Sequence, residues 1–397
     1  MKIAYFLENY AIGGVDSFIK NLLRRNLYND QIYLIYNNNC PGKNSLKKIK
    51  NIKFLEYSIF SWDMIFNKFT NKIFISFLKV IYSIIFPLTF LYQVIRTYYF
   101  LKAESFDKIL IINGGYPGGD ICLAATIAWS KIYPEKKSWI SFHNFALKRN
   151  RIFLLNFYKN LVDKIIKKSV SGFISVSRIC TKTIKLRKNL KDVKTFTIYN
   201  GHTFDKKKNI YSLRKKFNLP QNSKILLLLA EYDLRKGHKY IINVMEKILL
   251  RKKNVYLFVF GYGIKDEVEK LVSRSKVAKN IFLNNFEINQ FGLINQSDIL
   301  VISSQKYESF GYTAIEAMST KKVVVATNFG GVKEIILNNQ TGFLVNKNKP
   351  ELFAKKVLKL LNNNKLKKKM EKKSYQHYKK FFTSERMIKN YNNLLKL

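Results

Sequence analysis

The chain has 397 residues, 47% hydrophobic and 15% aromatic, long and apolar enough for two folded domains and not the composition of a disordered chain. Lys and Arg total 71 against 26 Asp and Glu, a formal charge of +45 that favours anionic partners such as nucleotides, polyphosphates and lipid headgroups. Its lysines are scattered and no base-reading motif accompanies them, so nucleic acid is not an expected partner.

In chain order, residues 2–7 predict a first strand, and Glu8 interrupts what would otherwise be the apolar core of a secretory signal. Residues 11–15 are a turn whose Gly13 and Gly14 let backbone approach a ligand, and residues 17–23 read as a helix. Strands follow at 31–36 and 53–58. Residues 73–101 are the most apolar part of the chain. A membrane-spanning helix needs about twenty apolar residues, whereas Lys79, Gln93 and Arg96 interrupt this run, Pro87 kinks it, and its clean part, 80–92, has only about a dozen. A spanning helix is therefore not expected. A buried helix and an interfacial one with basic flanks both remain open. The Lys/Arg excess favours peripheral contact with an anionic membrane face. Residues 109–112 predict a strand ending at Asn113, and 137–142 one ending at His143, a residue type more often structural than catalytic when it stands alone. Strands at 172–177 and 195–201, with a helix at 179–186 between them, close the first half. Cys40, Cys122 and Cys180 are widely spaced, without a metal-ligand pattern, and point to reduced thiols in a cytoplasm.

Residues 200–212 are polar and basic, a linker by composition. A new sheet begins at 224–230, followed by Glu231, Arg235, Lys236 and Gly237. Strands at 255–261, ending on Gly261 with Gly263 just beyond, and at 281–286 come next. Asp298 reads as structural. From 299 to 345 the sequence gives a buried strand, a loop, a helix at 312–319, a β-branched strand VVVAT and a Gly330-Gly331 turn, which is a parallel βαβ unit. Its loop carries Glu308 and its helix Glu316. Two such carboxylates serve either as acid and base or as acceptors for sugar and ribose hydroxyls. Ser309, Phe310 and Gly311 lead into the helix, an end that favours phosphate. On spacing alone the plainer reading is preferred: a solvated Glu308, and a Glu316 that complements the helix dipole. Residues 352–361 form an amphipathic helix, 362–373 a lysine-rich exposed one, and 381–397 a last helix.

Taken together, Glu308-Ser309-Phe310-Gly311, Glu316-Ala317-Met318, Gly330-Gly331-Val332-Lys333-Glu334 and Thr341-Gly342 resemble the donor-binding signature of the family 4 retaining glycosyltransferases. The resemblance implies an α/β GT-B fold, two Rossmann-like domains facing across a cleft. Residues 1–203 would bind the acceptor, with helix 381–397 packing back on them, and 204–380 the nucleotide-sugar donor. It further implies catalytic roles for Glu308 on the donor sugar's hydroxyls, Lys236 on the diphosphate and His143 at the donor sugar. Arg235, Gly261, Gly263, Ser309, Phe310, Gly311 and Glu316 would bind the nucleotide, with Glu316 on the ribose. Gly13 and Gly14 would lie near the diphosphate and acceptor. In this family an arginine stands where this chain has Glu231, and Arg235 is the available substitute. The implied reaction moves a hexosyl unit from a nucleoside diphosphate sugar to a hydroxyl with retention, in surface polysaccharide or glycolipid synthesis. The acceptor would be a glycan or lipid-linked, at the inner face of the cytoplasmic membrane. No Asp-x-Asp pair is present to hold a metal, and no cofactor beyond the co-substrate is expected. A nucleotide-sugar epimerase of the same fold and a catalytically degenerate nucleotide-sugar-binding protein are the alternatives.

Overall fold

A computed structural model describes residues 1–24, 30–69, 71–148, 152–204 and 212–396, so residues 205–211 of the expected linker lie outside the described residues. The chain divides into two compact units, Met1–Tyr199 with Ile388–Leu397, and Asn200–Met387.

The first unit holds strands β1 (Lys2–Glu8), β2 (Gln31–Asn37), β3 (Lys53–Tyr57), β4 (Lys108–Asn113), β5 (Ser138–Phe142), β6 (Val170–Ser175) and β7 (Thr195–Thr197). They pair in the order β3-β2-β1-β4-β5-β6-β7, every pair parallel. Covered on both faces, the inner strands β1, β2 and β4 are near-continuous apolar runs, and β1 is buried from Ile3 to Glu8. The winding runs outward from β1 through β3, returns to β4 and proceeds the other way. Loops leaving the carboxyl ends of β1 and β4 therefore part, and that is where such sheets take ligands.

Residues 72–104 form one continuous helix, Lys72–Glu104, and Pro87 lies inside it without ending it. Helix Asp120–Ile132 has no counterpart in the sequence reading, because every residue from Asp120 to Trp129 is buried and no amphipathic period marks it. Helix Phe153–Ser169 packs beside both.

The second unit repeats the plan with β8 (Lys224–Leu229), β9 (Val255–Gly261), β10 (Ile281–Asn285), β11 (Ile299–Ile302), β12 (Val324–Thr327) and β13 (Gly342–Val345). Their order is β10-β9-β8-β11-β12-β13, again all parallel. The reversal now falls between β8 and β11. Leu226, Val259 and Val301 of this sheet bury against Met245 and Ile248 of helix His238–Leu249 and Val357 of helix Pro350–Asn362. The lysine-rich helix is longer than predicted, Asn364–Phe381, and is not simply exposed: Met370, Ser374 and Tyr378 turn inward at helical spacing. The last helix is Ser384–Leu395.

Candidate active site

In the second unit the loops after β8 and β11 are joined by side chains. Asp233 caps a short 3-10 turn, Leu234–Lys236, and Lys236 extends from it to place its Nζ 3.3 Å from Glu308 Oε2 in the loop after β11. The same carboxylate oxygen accepts from Ser304 Oγ at 2.7 Å, and Ser303 Oγ donates to the Lys236 carbonyl at 2.7 Å. The two loops thus hold each other in register. Backbone proximity tightens the arrangement. Gly330 has φ +64°, a Cβ there would overlap the Glu308 carbonyl oxygen, and the Gly331 N–H donates to that oxygen at 2.8 Å.

Gly311, at φ +104°, caps helix Tyr312–Ser319. Phe310 buries its ring near Tyr312 and Phe382, so its contribution at the loop is backbone. Glu316, on that helix, is 4% exposed, and burial raises its carboxyl to about 8. The Gln290 amide, with its nitrogen turned to Glu316, lies 2.9 and 3.2 Å from the two carboxylate oxygens and pulls the other way by favouring the ionised form. Glu308 is thus a paired carboxylate on a loop, Glu316 a desolvated one on a helix.

Arg235 stands next to Lys236 but is closed on Asp233, with guanidinium to carboxylate distances of 2.6 and 2.8 Å. Gly261 ends β9 against the Ala230 carbonyl, and Gly263, at φ +101°, sits beside the Glu231 side chain.

In the first unit, Gly13 and Gly14 follow β1. The Gly13 N–H donates to Asp16 Oδ2 at 2.7 Å, and a Cβ at Gly14 would meet nothing within 4 Å. His143 follows β5. Its ring lies 4.0 Å from that of Phe18, and its Nε2 lies 3.1 Å from Ser141 Oγ, which reaches the Tyr391 hydroxyl at 2.8 Å. Burial pushes the imidazole down to about 3, so it is neutral at physiological pH, and its buried Nδ1 meets no hydrogen-bond partner among the described residues.

Sequence reasoning missed three contributors. Ser304 reads as a strand boundary, and Gln290 lies in a short helix with no signal tying it to Glu316. Glu8, read only as a break in an apolar run, accepts from the Ile121 N–H at 2.9 Å and Ser61 Oγ at 2.9 Å. Burial, with Asp63 and Asp120 nearby, holds its carboxyl well above the usual range. Gln290 and Glu8 meet partners distant in sequence, whereas Ser304 stands only four residues before Glu308 and is set against it by the fold of the loop.

Residues 205–377 match the family model described as glycosyl transferases group 1. An uncharacterized glycosyltransferase of Methanocaldococcus jannaschii is 27% identical over 60% of this chain and 61% of its own length. The poly(ribitol-phosphate) alpha-N-acetylglucosaminyltransferase of Staphylococcus aureus is 26% identical over 50% of this chain and 40% of its own. The chain thus spans about half the length of these curated relatives. Among solved structures, Anabaena HepE in complex with UDP superposes with a TM-score of 0.76 at 16% identity, covering 100% of both chains. That likeness shows the fold, which is GT-B: two parallel-sheet α/β units.

Proposed function

We propose that this chain is a glycosyltransferase that moves a hexosyl unit from a nucleoside diphosphate sugar to a hydroxyl, with retention at the anomeric carbon. The observation that carries the reading is the Lys236–Glu308 pair spanning the loops after β8 and β11, the reversal point of the second sheet. Departure of a diphosphate needs a fixed positive charge. Lys236 supplies it, with the backbone of Phe310–Gly311 and the dipole of helix Tyr312–Ser319 behind it, without a metal. Glu308 accepts from hydroxyls of the donor sugar and Glu316 from those of the ribose. Gly261, Gly263 and Ser309 bring backbone to the nucleotide. His143, neutral, hydrogen-bonds the sugar rather than moving charge. Gly13 and Gly14 admit diphosphate and acceptor. The departing phosphate takes the acceptor's proton on the same face, so no side-chain nucleophile is required.

The similarity to the Staphylococcus aureus enzyme, whose name specifies a polymeric polyol phosphate acceptor, supports an acceptor in surface glycan or glycolipid synthesis at a membrane's cytoplasmic face. A panel of nucleotide sugars, scored for nucleoside diphosphate release with and without EDTA, tests the reading. Release from one donor, unaffected by EDTA, is expected. A second reading, nucleotide-sugar binding without transfer, draws on the Arg235 guanidinium being closed on Asp233 while Glu231 stands at the usual arginine's place. Tight binding of a donor with no release under any acceptor favours that one.

A further inference from the structure

We propose that helices Lys72–Glu104 and Phe153–Ser169 of the first unit present a docking surface that lies in the plane of an anionic phospholipid bilayer. The proposal rests on the transferase reading only in supplying an acceptor at a membrane; the surface itself is argued from its own residues.

Helix Lys72–Glu104 is apolar on both faces: Tyr82, Phe86, Phe90 and Leu101 are buried, while a second apolar stripe is exposed. Its uncharged polar residues Ser83, Gln93 and Thr97 are buried on the side toward the unit. Gln93 Nε2 donates to the Phe60 carbonyl at 2.9 Å, Thr97 is buried against its own helix, and the Tyr82 hydroxyl meets Asp120. Its outward stripe is apolar: Phe77, Val80, Ile84, Leu88, Leu91 and Ile95 recur at spacings of three and four, and Leu88 is 73% exposed. Between Ile73 and Ile81 no residue is buried. A soluble helix turns a polar face to water, and a continuous exposed apolar face of this size marks an interaction surface.

A neighbouring helix widens it. Phe153–Ser169 lies against the first helix through Tyr158, whose ring is 6.1 Å from that of Phe86, and exposes Phe153, Phe157, Leu161 and Ile165 at a spacing of four.

Charge selects the occupant. Lys79, Arg96 and Lys102 of the first helix and Lys164 and Lys168 of the second are exposed. The carboxylates on these helices are withdrawn: Glu104 is half-buried, and Asp163 is buried against Arg187 at 2.7 Å. Cations flanking an apolar stripe complement an anionic lipid surface. A second copy fits poorly, since a two-fold contact sets each face's cations against the same cations.

Length and composition alone allow helix Lys72–Glu104 to cross a bilayer, and 22% of its most apolar window is buried. Crossing would strip Tyr82 and Gln93 of their partners and carry Lys79 and Arg96 through hydrocarbon. The helix therefore lies on the membrane with one face committed to the protein.

Flotation of the full chain with phosphatidylcholine vesicles, with and without phosphatidylglycerol, tests this. The parent is expected to float with the anionic vesicles and to be released by high salt. The triple variant Ile84→Glu/Leu88→Glu/Leu91→Glu should float roughly tenfold less well or worse, and Leu250→Glu, on the second unit, should match the parent. Should the triple variant misfold by circular dichroism, Lys79→Glu/Arg96→Glu/Lys102→Glu gives the second arm and should lose binding to the anionic vesicles. Absence of flotation by the parent, equal flotation by a folded triple variant or the charge variant, resistance of the membrane-bound protein to alkaline carbonate, or a stripe-dependent dimer without lipid each overturns the proposal. Donor hydrolysis measured in parallel keeps the two ideas apart: a parent that floats but releases no nucleotide removes the transferase reading and leaves the docking surface.

Discussion

Glu308 and Glu316 differ in kind, and their substitutions should too. Glu308 answers Lys236 and Ser304 on a loop, so Glu308→Gln is expected to cut turnover while leaving affinity for free nucleoside diphosphate nearly unchanged. Glu316→Gln should weaken free nucleotide and donor alike by roughly 1–3 kcal/mol, read by calorimetry above pH 8 where the parent carboxyl is ionised, because a charge-assisted bond to the ribose is then lost. The same variant carries a pH signature. With its carboxyl raised to about 8 in the folded state, parent Glu316 keeps a proton that the unfolded chain releases near the ordinary carboxylate value. That contribution to stability is full in acid and is lost as pH rises toward 8. Since Gln never ionises, Glu316→Gln should gain stability relative to the parent between pH 5 and 8, by up to roughly 1.4 kcal/mol per pH unit, measured by chemical denaturation at each pH. A gap constant with pH would mean that Gln290 keeps Glu316 ionised. Lys236→Ala should lower turnover about a hundredfold or more, as for one preorganised contact to developing charge, against no change in the exposed Lys355→Ala. Of these residues, the motif spelled out Glu308 and Glu316; Gln290 was illegible because its partner is set by tertiary packing, and Ser304 because an irregular loop has no period to bring a serine onto the carboxylate four residues on.

Short loops do the positioning, and two glycines separate packing from ligand approach. Gly330 occupies the left-handed region with no room beside the Glu308 carbonyl, so Gly330→Ala should cost roughly 1–3 kcal/mol in thermal denaturation and displace Glu308. Gly14 opens helix Gly14–Leu22 with open space at its Cβ. Gly14→Ala should leave stability within about 0.5 kcal/mol while lowering turnover, if diphosphate or acceptor approaches that backbone. A variant as active as the parent would remove the loop from the site. At this scale the sequence was most legible where one side chain pattern had one cause: the parallel strands as apolar runs, and Tyr312–Ser319 as a helix between two of them. It was least legible at Asp120–Ile132, where burial on every side erases the period, and at Asn364–Phe381, where lysines mask an inward stripe of Met370, Ser374 and Tyr378.

Over the whole chain, composition announces two cores but is silent on where the last residues belong; Tyr391 decides that by packing. It is buried, its ring lies 5.5 Å from Phe18, and its hydroxyl reaches Ser141 beside His143, all within the first unit. Truncating a buried aromatic costs about 3–5 kcal/mol, so Tyr391→Ala should lower the melting transition of the first unit specifically. The second unit has its own handle. A nucleoside diphosphate near a hundredfold over its Kd stabilises whatever binds it by about 2.7 kcal/mol. Scanning calorimetry of the parent and Tyr391→Ala, each with and without the nucleotide, should therefore give two transitions, one lowered by the substitution and the other raised by the ligand. If the substitution instead lowers the ligand-raised transition, Ile388–Leu397 supports the second unit energetically despite its packing. If a single transition answers to both, the chain unfolds as one cooperative body and the units are architectural only.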